Sequence, residues 1–111
     1  MAYRASDVVL VPFPYTDLSQ VSVRPAVVIS SEAFNNAAGD VTVAMVTSRV
    51  RMGPTDWALR DWMEAGLRLP SWVRARFVTL DQGLIQFQPG RLSQRDMEAV
   101  KDRTRLALDL S

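Results

Sequence analysis

Two β-branched runs, Asp7–Phe13 and Val23–Ser30, joined by a polar loop, constrain this chain more than any other feature. Valine and isoleucine at this density favour extended backbone, and the loop between them (Pro14, Tyr15, Thr16, Asp17, Ser19) is made of turn formers. Arg24 and Pro25 stand where the loop re-enters the second run. Proline fixes φ and has no N–H to give to a ladder, which suits a strand start or an edge. The cation before it projects beside the loop.

Further elements follow in order. Ser31–Asn36 reads as one helical turn opened by a serine cap, with Ala37–Gly39 as a loop. Val41–Ser48 is a strand with Val41, Val43, Met45 and Thr47 on one face. Arg49–Pro54 is a basic turn, Thr55–Leu59 a short strand, and Asp61–Gly66 a helical turn stopped by glycine. Leu67–Ser71 is a connector. Trp72–Leu80 alternates as a strand, and Asp81-Gln82-Gly83 is expected to turn it into a hairpin partner, Leu84–Gln88.

The last element is a helix. Ser93 with Asp96 three residues on resembles a capping box. Met97, Val100, Thr104, Ala107 and Leu108 share the face expected to pack on the sheet. Ala99, Leu106 and Leu110 form a second strip, which is either a homodimer surface or a few exposed leucines. Five or six short strands with one terminal helix do not fit βαβ repetition. They fit a mainly β fold, a small antiparallel sheet bent into a barrel with the helix over one opening. The 111 residues suffice for a single domain, 1–111, with one core.

Residue usage narrows the chemistry. Cysteine and histidine are both absent, so thiolate and imidazole metal sites and Ser-His or Cys-His nucleophile systems are unavailable. The acids are scattered, and no metal or cofactor is expected. Net charge is only +1, yet Lys101 is the sole lysine among 13 basic residues. Arginine offers a planar fork for phosphate and stacks on bases, although a high-GC genome would produce the same bias. No apolar run approaches the ~20 residues that span a bilayer, and MAYRASD has no signal-peptide core, so the expected compartment is the cytoplasm.

On residues alone, Arg24 is a solvated edge charge, a partner for Asp17, or a phosphate ligand. Thr47, ending a strand, is a turn cap. Arg74 and Arg76 share a strand face with Trp72, a mix of cation and π-surface suited to single-stranded RNA or simply an exposed face. Trp57 and Trp62 read as packing residues.

The Asp-Val-Val-Leu-Val-Pro-Phe-Pro opening, the polar loop, Arg-Pro-Ala-Val-Val-Ile-Ser and the Val43–Ser48 stretch together resemble the MazF/PemK family of toxin endoribonucleases. The likeness continues from Ser71 to Leu92. It implies an SH3-like barrel that dimerises, with Arg24 on the scissile phosphate and the Thr47 hydroxyl bonded to the reacting phosphate or ribose. Asp17 and Ser48 become further catalytic or RNA-positioning candidates, and Tyr15, Thr16, Arg49, Arg74 and Arg76 RNA-binding candidates. It also implies single-stranded RNA as substrate, metal-independent cleavage by the substrate's own 2′-OH, and a small acidic MazE-like antitoxin whose tail occupies the RNA groove. Arg76-Phe77 stands where some family branches carry Asp-Gln, so an acidic role there does not transfer. Two alternatives stay open: a CcdB-like toxin that binds gyrase, and an inactive barrel that only binds.

Overall fold

A computed structural model describes residues 3–14 and 21–111 of the chain. The loop residues Tyr15, Thr16, Asp17 and Ser19 lie outside the described residues. The β-branched runs form β1 (Asp7–Pro14) and β2 (Val21–Val28), followed by α1 (Glu32–Ala38), β3 (Asp40–Thr47), β4 (Trp57–Ala58), β5 (Trp72–Asp81), β6 (Phe87–Arg91) and α2 (Gln94–Leu108). The six strands make one antiparallel sheet in the order β4-β5-β3-β2-β1-β6.

The valine runs are continuous, not alternating with polar residues, because both faces of the central strands are covered. Val8, Val27, Ala44 and Val46 pack with Leu59, Val73 and the α2 residues Met97 and Val100. The alternate positions Val9, Val11, Ala26, Val28, Val41, Val43 and Met45 gather in a second cluster with Leu80. Fully burying a valine contributes roughly 1.5–3 kcal/mol, so these strands dominate the stability of the fold.

The two edges of the sheet are drawn together by the segment after β4. Gly66 has φ +85°, and a Cβ on it would lie 2.5 Å from the Pro89 carbonyl oxygen of β6. One on Gly90 would lie 2.6 Å from the Ala65 oxygen. Backbone meets backbone there, which only glycine permits. The sheet therefore curls, and the molecule measures 33 × 30 × 28 Å.

Several sequence expectations need correction. α1 runs on through Ala37 and Ala38, and Gly39 in the left-handed region ends it by donating its N–H to Asn35. The chain after β5 does not return as a hairpin. Asp81 accepts a hydrogen bond from the Gly83 N–H and starts a single 3₁₀ turn, Gln82–Leu84. Gln82 is tied to the carbonyls of Asn35 and Asp40, and β6 pairs with β1 at the far edge. β2 also begins earlier than expected, with Pro25 inside it.

α2 starts at Ser93, whose hydroxyl accepts the Asp96 N–H, but Asp96 does not complete a capping box. Its buried carboxylate accepts bonds from Trp57 Nε1–H and from the backbone N–H groups of Arg60 and Asp61. Met97 and Val100 are buried as expected, whereas Ala107 and Leu108 are exposed. No helix among the described residues is long and apolar enough to cross a membrane.

Candidate active site

A cleft of about 750 Å³ opens at the end of the sheet where β2 begins and β3 stops. The register explains the opening. Ala26 pairs with Met45, and the same pairing continued two residues on would set Arg24 opposite Thr47. The ladder ends at Ala26, next to Pro25, which has no N–H to offer. The strands part beyond that point, with Arg24 on one lip and Thr47 on the other.

Thr47 is half-buried, and its hydroxyl oxygen accepts the Arg49 N–H at 3.1 Å. This is the turn-capping role that a strand-end threonine commonly takes. It fixes the side chain and leaves its O–H free to donate. Ser48 and Arg49 follow on the exposed turn and also line the cleft.

β5 contributes Arg74 through an irregularity. Pairing steps from Ala44↔Phe77 to Val46↔Val73, so the single residue Met45 faces the span 74–76. A bulge bends its strand and re-aims side chains. Arg74 lines the cleft, while Arg76 is exposed and is not part of its wall. The rest of the lining comes from the connector after Gly66 and from Phe87 and Pro89 of β6. It brings in Arg68, which sequence reasoning passed over as part of a connector. The available signal was a cation between two leucines directly after a glycine.

Arg24, Arg49, Arg68 and Arg74 thus converge on one cleft, and no Asp or Glu is among its described lining residues. None of the four side chains makes an ion pair or hydrogen bond with a described residue. Four arginines elsewhere are ion-paired: Arg51 with Asp56 at 3.9 Å, Arg91 with Asp7 at 3.0 Å, Arg95 with Asp61 at 2.6 Å, and Arg105 with Asp102 at 2.8 Å. Arg103 lies 4.9 Å from the centroid of the Trp57 ring. Trp57 and Trp62 pack against the core, as their composition suggested. Unpaired guanidinium groups around a concave surface suit an anionic ligand with several phosphates. Among the described residues, no group of three or more acids is placed to hold a metal ion.

A small curled β-sheet with a C-terminal helix and an arginine-lined cleft is the class of protein defined so far. The sequence matches, over residues 4–108, the family described as PemK-like, MazF-like toxin of type II toxin–antitoxin system. The chain belongs to that family. Its fold is similar to an endoribonuclease bound to its cognate antitoxin from a Mycobacterial species, with a TM-score of 0.84 and 22% identity over 99% of this chain and 98% of the other. It is also similar to MazF from Deinococcus radiodurans, at 0.79 and 25% identity over 99% of each chain. A MazE–MazF structure from the same organism matches at 0.80 and 22% identity over the whole of both chains. No curated protein matches the sequence at a significant level.

Proposed function

We propose that this protein is an endoribonuclease toxin that cuts single-stranded RNA without a metal ion, using the substrate's own 2′-OH. The observation that carries the reading is the set of four arginines, without a partner among the described residues, on a cleft with no described carboxylate in its wall. The 2′ oxygen forms a bond to the adjacent phosphorus, and the bond from phosphorus to the 5′ oxygen breaks. The 2′ proton passes to a base, and the departing 5′ oxygen takes up a proton. The products end in a 2′,3′-cyclic phosphate and a 5′-OH.

Arg24 holds non-bridging oxygens and offsets the charge that grows on them, and the free O–H of Thr47 donates to the same phosphate or its ribose. Ser48, Arg49 and Arg74 position the flanking chain. Arginine, with a pKa above ~12, is a poor proton acceptor. Asp17 is the proposed base, together with Tyr15 and Thr16 as further RNA contacts from the loop outside the described residues. The lack of histidine and cysteine in the sequence is consistent with chemistry of this kind.

The same reading supplies the partners and place of action. An acidic antitoxin segment suits the arginine-lined cleft, and the structures similar to this chain include toxin–antitoxin complexes. The exposed Leu106 and Leu110 support a second copy of the chain as a further partner. Messenger RNA in the cytoplasm is the proposed target.

Incubating a long RNA with the purified protein in EDTA and running a denaturing gel tests the reading. Discrete fragments with cyclic-phosphate and 5′-OH ends are expected, and an all-DNA strand should stay whole. Cleavage only after added Mg²⁺, or equal cutting of DNA, would overturn the mechanism. Intact RNA together with inhibition of gyrase would favour the CcdB-like alternative.

A further inference from the structure

We infer that Arg68 is a second phosphate-binding residue of the cleft, holding a phosphate next to the one at Arg24. The inference takes the identity of the strand from the cleavage reading above, but its geometry stands apart from that reading. Arg24 and Thr47 belong to the β2–β3 lips, whereas Arg68 belongs to the connector between β4 and β5, whose Gly66 meets Pro89 of β6. A single strand that crosses the cleft from the β2–β3 lips toward this connector meets both guanidinium groups along its backbone.

The segment that carries Arg68 is held on both sides. Leu67 donates its N–H to the Trp62 carbonyl at 3.1 Å and packs against the core. Gly66 meets Pro89 backbone to backbone. Beyond Arg68, Ser71 Oγ–H donates to the Leu69 carbonyl at 2.8 Å, and the Leu59 N–H donates to the Ser71 carbonyl at 2.9 Å. Arg68 itself is exposed and has no partner among the described residues. Asp61, an acid from the same segment, is engaged by Arg95 instead. A guanidinium on a pinned backbone loses less freedom on binding than one on a loose loop, so its contact is expressed as affinity. Because Arg68 contributes nothing to the core or to an ion pair, its removal leaves the fold intact.

The test compares wild type, Arg68→Ala and Arg68→Lys in two measurements. The first is affinity for a mixed-sequence 2′-O-methyl oligonucleotide, which lacks the attacking hydroxyl, across a salt series. The second is steady-state cleavage of RNA. Arg68→Ala should bind about tenfold more weakly, as expected for one charged hydrogen-bonded contact. Its log affinity against log salt should lose about 0.7 of slope, the value for one phosphate on a single strand. In cleavage, KM should rise about tenfold with kcat within about twofold, the pattern of uniform binding. Arg68→Lys should restore the slope.

Unchanged affinity and slope in Arg68→Ala would overturn the inference while leaving the cleavage reading intact. A fall in kcat with KM unchanged would also overturn it, since Arg68 would then act at the reacting phosphate. If wild type cuts no RNA but binds the oligonucleotide with an Arg68-dependent slope, the cleavage reading fails and the phosphate contact stands.

Discussion

Two regions of the molecule use arginine in opposite ways. At the start of α2, Arg95 grips Asp61 through two parallel bonds, Nε–H at 2.7 Å and an Nη2 N–H at 2.6 Å, and Ser93 Oγ–H donates to the same carboxylate at 2.5 Å. Beside them, buried Asp96 ties α2 to Trp57 and to the backbone of 60 and 61. At the cleft, Arg24, Arg49, Arg68 and Arg74 face a concave surface without any described carboxylate. One region is electrostatically closed and serves stability. The other is left open and is suited to an external anion. The difference teaches that an arginine's partner, not its presence, separates a structural cation from a binding one.

The largest expected effect lies in the closed region. Asp96→Ala removes the acceptor for three N–H groups and should destabilise the fold by about 3–5 kcal/mol, read from urea unfolding. At a temperature where the variant is still folded, its cleavage rate should stay within tenfold of wild type. A variant of wild-type stability would show that the clamp does not hold α2.

In the open region the order reverses, with activity lost and stability kept. Arg24→Ala should cut RNA at least ~100-fold more slowly, about 2.7 kcal/mol of transition-state stabilisation, in single-turnover assays. Its unfolding midpoint should hardly move, because an exposed arginine adds little to an apolar core. Arg24→Lys keeps the charge but loses the planar fork and should recover only part of the rate. Wild-type cleavage by a folded Arg24→Ala protein would mean the site is misplaced.

A smaller contrast lies within one strand. Arg74 lines the cleft and Arg76 does not, although both occupy the β5 bulge. Arg74→Ala should lower the salt slope of RNA binding by about 0.7, and Arg76→Ala should leave it unchanged. Equal effects would extend the binding surface beyond the cleft.

The weakest effect is the pH response of the closed region. The Arg95 bonds, and after them the Ser93 hydroxyl, lower the Asp61 carboxyl from 3.8 to about 2, and Asp61 in turn raises the Arg95 guanidinium above its usual range. A carboxyl depressed in the folded state contributes stability that is complete above its unfolded pKa of ~3.9 and is lost as pH falls toward 2. Asp61→Asn should therefore unfold more readily than wild type at neutral pH, and the gap should narrow between about pH 4 and pH 2. A gap that is constant through this range would assign the effect to packing.

Much of the fold could be read from local sequence, because valine-rich strands, the Ser31 and Ser93 caps and the Gly66 stop are local physics. The strand after β5 was misplaced because Asp81 caps a 3₁₀ turn and Gln82 is drawn to carbonyls at 35 and 40, interactions that no window around Gly83 contains. Asp96 was read as half of a capping box because its three donors lie 35 to 39 residues away. At the site, Arg24 and Thr47 stood out from their motifs, whereas Arg68 had no motif.

By itself the sequence determined that the chain is mainly β with a closing helix, that its chemistry excludes imidazole and thiolate, and that Thr47 ends a strand, whereas Arg24, expected at a strand start, lies inside β2 and pairs with Val11. These follow from side-chain periodicity and composition, which act within a few residues. Tertiary structure alone decided which strand ends meet. The β2–β3 ladder stops beside Pro25, the β5 bulge turns Arg74 into the cleft, and the Gly66–Pro89 contact brings Arg68 across from the far edge. Arg91 and Arg95 are neutralised by carboxylates distant in the chain, Asp7 and Asp61, and only the fold sets that distance.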